Sequence, residues 1–163
     1  MELFIVDACV LIDFVKTDRS LLLLISQHVG QIHVPSPILG EVRQLTRDSA
    51  AEVGIVVVEP ALELAMQAAQ RAVPGLSFQD ELCLRVAAAE GWTCVTNDRR
   101  LRVECEAQNV HVRWGLELLL LLVEARALGA HEAIEAVRTI AALNPRLARK
   151  VVLSFERKVR GLG

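Results

Sequence analysis

The segment Leu3-Phe4-Ile5-Val6-Asp7, near the start of MELFIVDACVLIDF, constrains the fold more than any other. Its apolar run lacks the polar alternation of a half-exposed strand. It therefore predicts a strand covered on both faces, as in parallel α/β sheets. Helical spacing begins directly after Asp7, which places a carboxylate at the carboxyl end of that strand. Ligands of open parallel sheets bind there, so Asp7 is a candidate site residue. Asp is also a favoured helix N-cap, and at this point the two roles stand side by side.

The rest of the chain repeats the alternation. A helix is expected over Cys9–Val15, a polar break over Thr17–Ser20 and a second helix over Leu21–Val29, closed by Gly30. A strand follows at Gln31–Val34, stopped by Pro35, and Ser36 with Pro37 starts a third helix that carries Glu41. The polar stretch Thr46–Glu52 leads to the β-branched strand Ile55–Val58. Helices are expected over Ala61–Val73 and Ser77–Glu90, and a strand over Thr93–Thr96. A short helix at Leu101–Gln108 and a last strand at Val110–Val112 complete the alternation. From Trp114 the pattern is helical only, broken near Gly129 and at Asn144-Pro145. This order predicts a three-layer α/β fold with a central parallel sheet in residues 1–112, and a C-terminal helical extension over 113–163, within a single domain.

Composition narrows the function. The hydrophobic fraction is 53% and aromatic residues are 4% with no Tyr, which indicates an aliphatic core and argues against an aromatic platform for single strands. Leu116–Val123 is interrupted by Glu117 and falls short of a membrane span, and the N-terminus lacks the pattern of a secretory signal, so a cytoplasmic protein is expected. Cys9, Cys83, Cys94 and Cys105 form no CxxC pair and are expected as buried thiols. His28, His33, His111 and His131 show no HxxxH spacing. A formal net charge of −2 excludes a generally basic coat. Cations do concentrate in the tail, where Arg138, Arg146, Arg149, Lys150, Arg157, Lys158 and Arg160 face a single acid, Glu156.

Four carboxylates fall where a parallel sheet can gather them: Asp7, Glu41, Asp80 and Asp98. Each has a plainer role to weigh. Ser77 and Asp80 fit a capping box, Asp98 can cap the next helix, and Asp13, three residues before Lys16, reads as a solvated pair. Jointly, carboxylates without a neutralising cation repel one another and point to a bound metal. Oxygen-only ligation favours Mg²⁺ or Mn²⁺, and a metal-held water can attack phosphorus.

On these residues the chain resembles the PIN-domain nucleases, in particular the toxin ribonucleases of prokaryotic toxin–antitoxin pairs. IVDACVLIDF is similar to the family's opening strand and Asp, ILGEV to its helix-borne Glu, and LSFQDELCLRVAAAEGWTCVTNDRRLR to its second half. The resemblance covers roughly Met1 to Val112. It implies a PIN-like fold, a metal site of Asp7, Glu41, Asp80 and Asp98 taking Mg²⁺ or Mn²⁺, and RNA as substrate. A cognate antitoxin and a homodimer are implied as partners, with Arg99, Arg100 or the tail steering phosphate. Cys9 departs from the pattern, standing where many members carry Ser, Thr or Asn, and Thr96 and Asn97 offer replacement hydrogen bonds. A catalytically silent binding module is the alternative. A phosphotransferase of the haloacid-dehalogenase type needs a second Asp at position 9 and is disfavoured.

Overall fold

Phe4, Ile5 and Val6 have no exposed surface, because the strand they form is the middle of the sheet. The computed structural model describes residues 1–163. Strand β1 (Glu2–Val6) pairs in parallel with β2 (Gly30–Pro35) on one side and with β4 (Thr93–Val95) on the other. Strand β3 (Ile55–Val58) extends the sheet beyond β2, and β5 (Val112–Arg113) extends it beyond β4. The five strands are all parallel in the order β3-β2-β1-β4-β5. Leu3 alone departs from the expected burial of the first strand and is 43% exposed.

Helices cover both faces, giving the expected three-layer α/β fold. Helices α1 (Ala8–Asp18) and α2 (Ser20–His28) follow β1, and α2 lies against β2 and β3. Helix α5 (Leu62–Ala69) packs on α6 (Phe78–Glu90), which lies against β1 and β4 and is joined by α7 (Arg99–Ala107). The chain winds outward from β1 through β2 to β3, then jumps back to the other side of β1. The winding therefore reverses between β1 and β4, which is where an open parallel sheet leaves a crevice at its carboxyl edge.

Three expectations are corrected. The helix after Pro35 is the single turn α3 (Ser36–Leu39), and Glu41 lies beyond it in a turn. Burial of Val42 and Leu45 in the core draws the chain off the helical path at Gly40. The polar stretch after it contains a helix, α4 (Arg47–Glu52), started by reciprocal hydrogen bonds between Thr46 and Ser49. The polar break at Thr17–Ser20 shrinks to Arg19, since α1 continues to Asp18, whose carboxylate then accepts the Ser20 N–H at 2.9 Å.

The C-terminal part is wholly helical, as α8 (Gly115–Glu124), α9 (Ala130–Leu143) and α10 (Arg149–Gly161). Helix α8 packs on α2, α9 on α1, and α10 on both α8 and α9. Leu118, Leu122, Val137, Ile140, Phe155 and Val159 are buried in the same apolar cluster as Phe4 and Ile32. Where α8 begins the chain comes close to α1, and a Cβ on Gly115 would lie 3.1 Å from the Val10 side chain. No helix is long and apolar enough to cross a membrane.

Candidate metal and phosphate site

Asp7 leaves β1 at the crevice between β1 and β4 and is buried. Its Oδ1 accepts the N–H groups of Cys9 at 2.7 Å and Val10 at 3.2 Å, so it does cap α1. Its Oδ2 accepts the hydroxyl of Thr96, the fully buried residue just beyond β4. The Thr96 oxygen in turn accepts the backbone N–H of Asp98 at 3.0 Å. One hydroxyl thus couples the ends of β1 and β4 and sets Asp98 relative to Asp7. Asn97 serves the C-terminal part instead, since its Oδ1 accepts the Gly115 N–H at 2.9 Å and ties the strand end to α8.

The electrostatics join three of the acids. Burial holds Asp7 above the ordinary carboxylate value, opposed by the Thr96, Val10 and Cys9 hydrogen bonds and reinforced by the charge of Asp80. Glu41, on an exposed turn, is raised first by partial desolvation and then by Asp80 and Asp7. Asp80 makes the reciprocal capping box with Ser77 foreseen from the spacing, its N–H reaching Ser77 Oγ at 3.1 Å and its Oδ2 accepting the Ser77 N–H at 3.2 Å. Asp98 caps α7 by accepting the Leu101 N–H at 2.8 Å on Oδ1. Each cap leaves carboxylate lone pairs free for a further partner.

No three His, Cys, Asp or Glu side chains converge closely enough to enclose one ion. Mg²⁺ and its analogues keep several waters and take one or two protein carboxylates, and a cation so hydrated would relieve the repulsion among Asp7, Asp80 and Glu41.

Cys9 is exposed, unlike the buried Cys83, Cys94 and Cys105, and corrects the expectation of four buried thiols. Its thiol lies above its ordinary value through desolvation and the charges of Asp7 and Asp13, against which Arg146 pulls it down. It serves Asp7 through its backbone N–H.

Several residues that shape this region carry no signal in the sequence. Asp13, expected as a solvated partner of Lys16, instead accepts both of its side-chain hydrogen bonds from Asn144 Nδ2, at 3.1 and 3.2 Å. Glu81, next to Asp80, is fully buried, accepts the Val73 N–H at 2.7 Å and leaves Oε2 without a partner. Neither partner is legible in local spacing. A groove of about 1030 Å³ is lined by Asp7, Asp98 and residues of α1, the start of α8 and α10.

The chain matches no family model and no curated protein.

Proposed function

We propose that the chain is a metal-dependent endoribonuclease of the PIN kind, hydrolysing RNA phosphodiester bonds with Asp7, Glu41, Asp80 and Asp98 holding a hydrated Mg²⁺ or Mn²⁺, in part through its waters. The observation that carries this reading is the placement of Asp7. It is a buried acid at the reversal of the sheet, bonded through Thr96 to the segment bearing Asp98 and sharing a field with Asp80 and Glu41.

The backbone amides of Cys9 and Val10 and the Thr96 hydroxyl fix the Asp7 carboxylate in one orientation. Asp98 is fixed by Leu101, and Asp80 by Ser77. Prepositioned oxygens of this kind need little rearrangement to orient a cation and its waters beside a phosphodiester. When bound, Mg²⁺ or Mn²⁺ supplies Lewis acidity that polarises the phosphate and lowers the pKa of a coordinated water. Arg99, exposed at the start of α7 and lining the groove, supports this reading as a cation for the incoming phosphate.

The test is cleavage of end-labelled RNA by the full chain with Mn²⁺ and with EDTA. Cleavage is expected only with metal and is abolished in Asp7→Asn and in Asp98→Asn. Persistence in both variants sinks the site assignment.

The second reading, a PIN-like binding module without catalysis, is favoured by the absence of a closed ligand shell and by Cys9. Calorimetric titration with Mn²⁺ separates the two, because a silent module shows no Asp7-dependent uptake. A role as the toxin of a cytoplasmic toxin–antitoxin pair, and a homodimeric state, extend the proposal. Co-purification from the native host with measurement of mass in solution tests both.

A further inference from the structure

Of the seven cations in the C-terminal stretch, Arg138 and Arg160 are both taken up by Glu156, at 2.7 and 3.6 Å. Arg149 lies outside the groove, and the other four, Arg146, Lys150, Arg157 and Lys158, line it. None of those four enters an ion pair. The carboxylates of the groove, Asp7, Asp13, Asp98 and Glu117, accept hydrogen bonds from uncharged donors and keep their charge. They are outnumbered, because Lys16 and Arg99 join the four tail cations to make six cations against four acids in the lining, and the excess charge is positive.

Arg146 is also held in place. Asn144, clamped to Asp13 of α1, accepts the Arg146 N–H on its Oδ1 at 3.1 Å. That fixes the α9–α10 turn, whose Arg146 acts electrostatically on Cys9, in the lining that also holds Asp7. Trp114 is 45% exposed and lines the same groove, with the Arg102 guanidinium over one face of its ring, 3.7 Å from the centroid. The groove also presents apolar side chains, among them the half-exposed Leu143 and Val151.

We propose that this groove holds a single-stranded nucleic acid, with its phosphates along Arg146, Lys150, Arg157 and Lys158 and a base on Trp114, and leads it to Asp7. Four unpaired cations beside one exposed aromatic suit a charged groove that tracks a single strand, with Trp114 stacking one base where the composition allows no wider aromatic platform. An acidic peptide uses the cations and leaves the Trp114 ring unused. A duplex keeps its base faces stacked and leaves the apolar surface wet. The direction toward Asp7 rests on the nuclease reading above, whereas strand binding stands without it.

The test is fluorescence anisotropy of fluorescein-labelled uridine and thymidine 12-mers with the full chain in EDTA, which measures binding without cleavage. With about four phosphate contacts, log K falls against log[salt] with a slope of about −3, less steep by about 0.7 for each contact removed. Lys150→Glu, Arg157→Glu and Lys158→Glu each weaken binding about fivefold or more. Arg149→Glu, the same charge change on the same helix, alters it less than about twofold. Trp114→Leu weakens it by at least about fivefold, the low end of one stacked base. Preference for either oligomer supports the proposal and identifies the strand. Equal effects of Arg149→Glu and Lys158→Glu, no measurable binding, or tighter binding of polyglutamate overturn it. Oligomer binding with these effects but no metal-dependent cleavage keeps this inference and rejects the nuclease. Asp7-dependent cleavage that Lys158→Glu leaves intact, with unchanged binding, does the reverse.

Discussion

Thr96 donates its hydroxyl proton to Asp7 across 89 residues of sequence, and the same oxygen receives the N–H of Asp98. Thr96→Val keeps the shape but strips a buried carboxylate oxygen and a backbone N–H of their partners at once. Leaving buried polar groups unpaired costs about 1–3 kcal/mol each, so a loss of about 2–4 kcal/mol is expected in urea unfolding. Thr96→Ser keeps the hydroxyl and should lose less than about 1.5 kcal/mol, mostly from the missing methyl group. Equal losses in the two variants sink the hydrogen-bond account.

Asp7 is where bound metal should be visible as stability. In EDTA at neutral pH, Asp7→Asn removes a buried charge that Asp80 opposes, and the variant should melt at or above the temperature of the parent. Addition of Mn²⁺ reverses the order, because a ligand at a hundredfold over its Kd stabilises the folded state by about 2.7 kcal/mol. Scanning fluorimetry should show the parent rising with Mn²⁺ and Asp7→Asn unmoved. A matched rise in both places the ion elsewhere.

His33 supplies a pH dependence away from the site. Its ring stacks on Trp92 with centroids 4.1 Å apart, and Nδ1 lies 3.3 Å from the Phe4 carbonyl. Burial lowers its pKa, partly offset by the Phe4 and Gln31 carbonyls and by the charge of Glu90. Below about 6.5 the unfolded chain therefore takes up this proton more readily than the native chain, and the stability from the neutral ring is lost as pH falls through the depressed native value. The difference in unfolding free energy between the parent and His33→Gln should shrink from pH 7 to pH 5. A difference that stays constant over that range removes His33 as its source.

What is legible in the sequence follows the range of the forces involved. Ile55–Val58 is readable as a strand to the residue, because β-branched runs between turn signals report local preference. Asp7, Asp80 and Asp98 are readable as strand-end or helix-start acids for the same reason. Glu41 falls on a helix by its spacing but not in the fold, because the burial of Val42 and Leu45, a tertiary effect, overrides the helical pattern after Gly40. Helix α4 escapes the pattern because Ser49 stands at the capping-box position where Glu or Gln is the usual signal. Asp13 looks local beside Lys16, yet its partner is 131 residues away. The division of the tail cations into those held by Glu156 and those facing the groove likewise exists only once α8, α9 and α10 are packed.

The Asp13–Asn144 clamp makes the last prediction. Helices α1 and α9 are joined by apolar packing, and the two hydrogen bonds from Asn144 add a polar latch at the turn that leads into α10. Asn144→Ala removes both bonds and frees the Arg146 N–H that Asn144 also accepts. Burial, which already raises Asp13, is then opposed only by Lys16, so the carboxylate should move further up. The apolar side chains Val137, Ile140, Phe155 and Val159 remain buried, and the extension should stay docked. The loss is therefore local, about 1 kcal/mol for hydrogen bonds of this type. In native-state hydrogen exchange, amides at the start of α10 should exchange about fivefold faster, while those of Phe4, Ile5 and Val6 keep their protection. Uniform acceleration across the sheet would show that the clamp supports the whole fold, and no change would show that packing alone holds the turn.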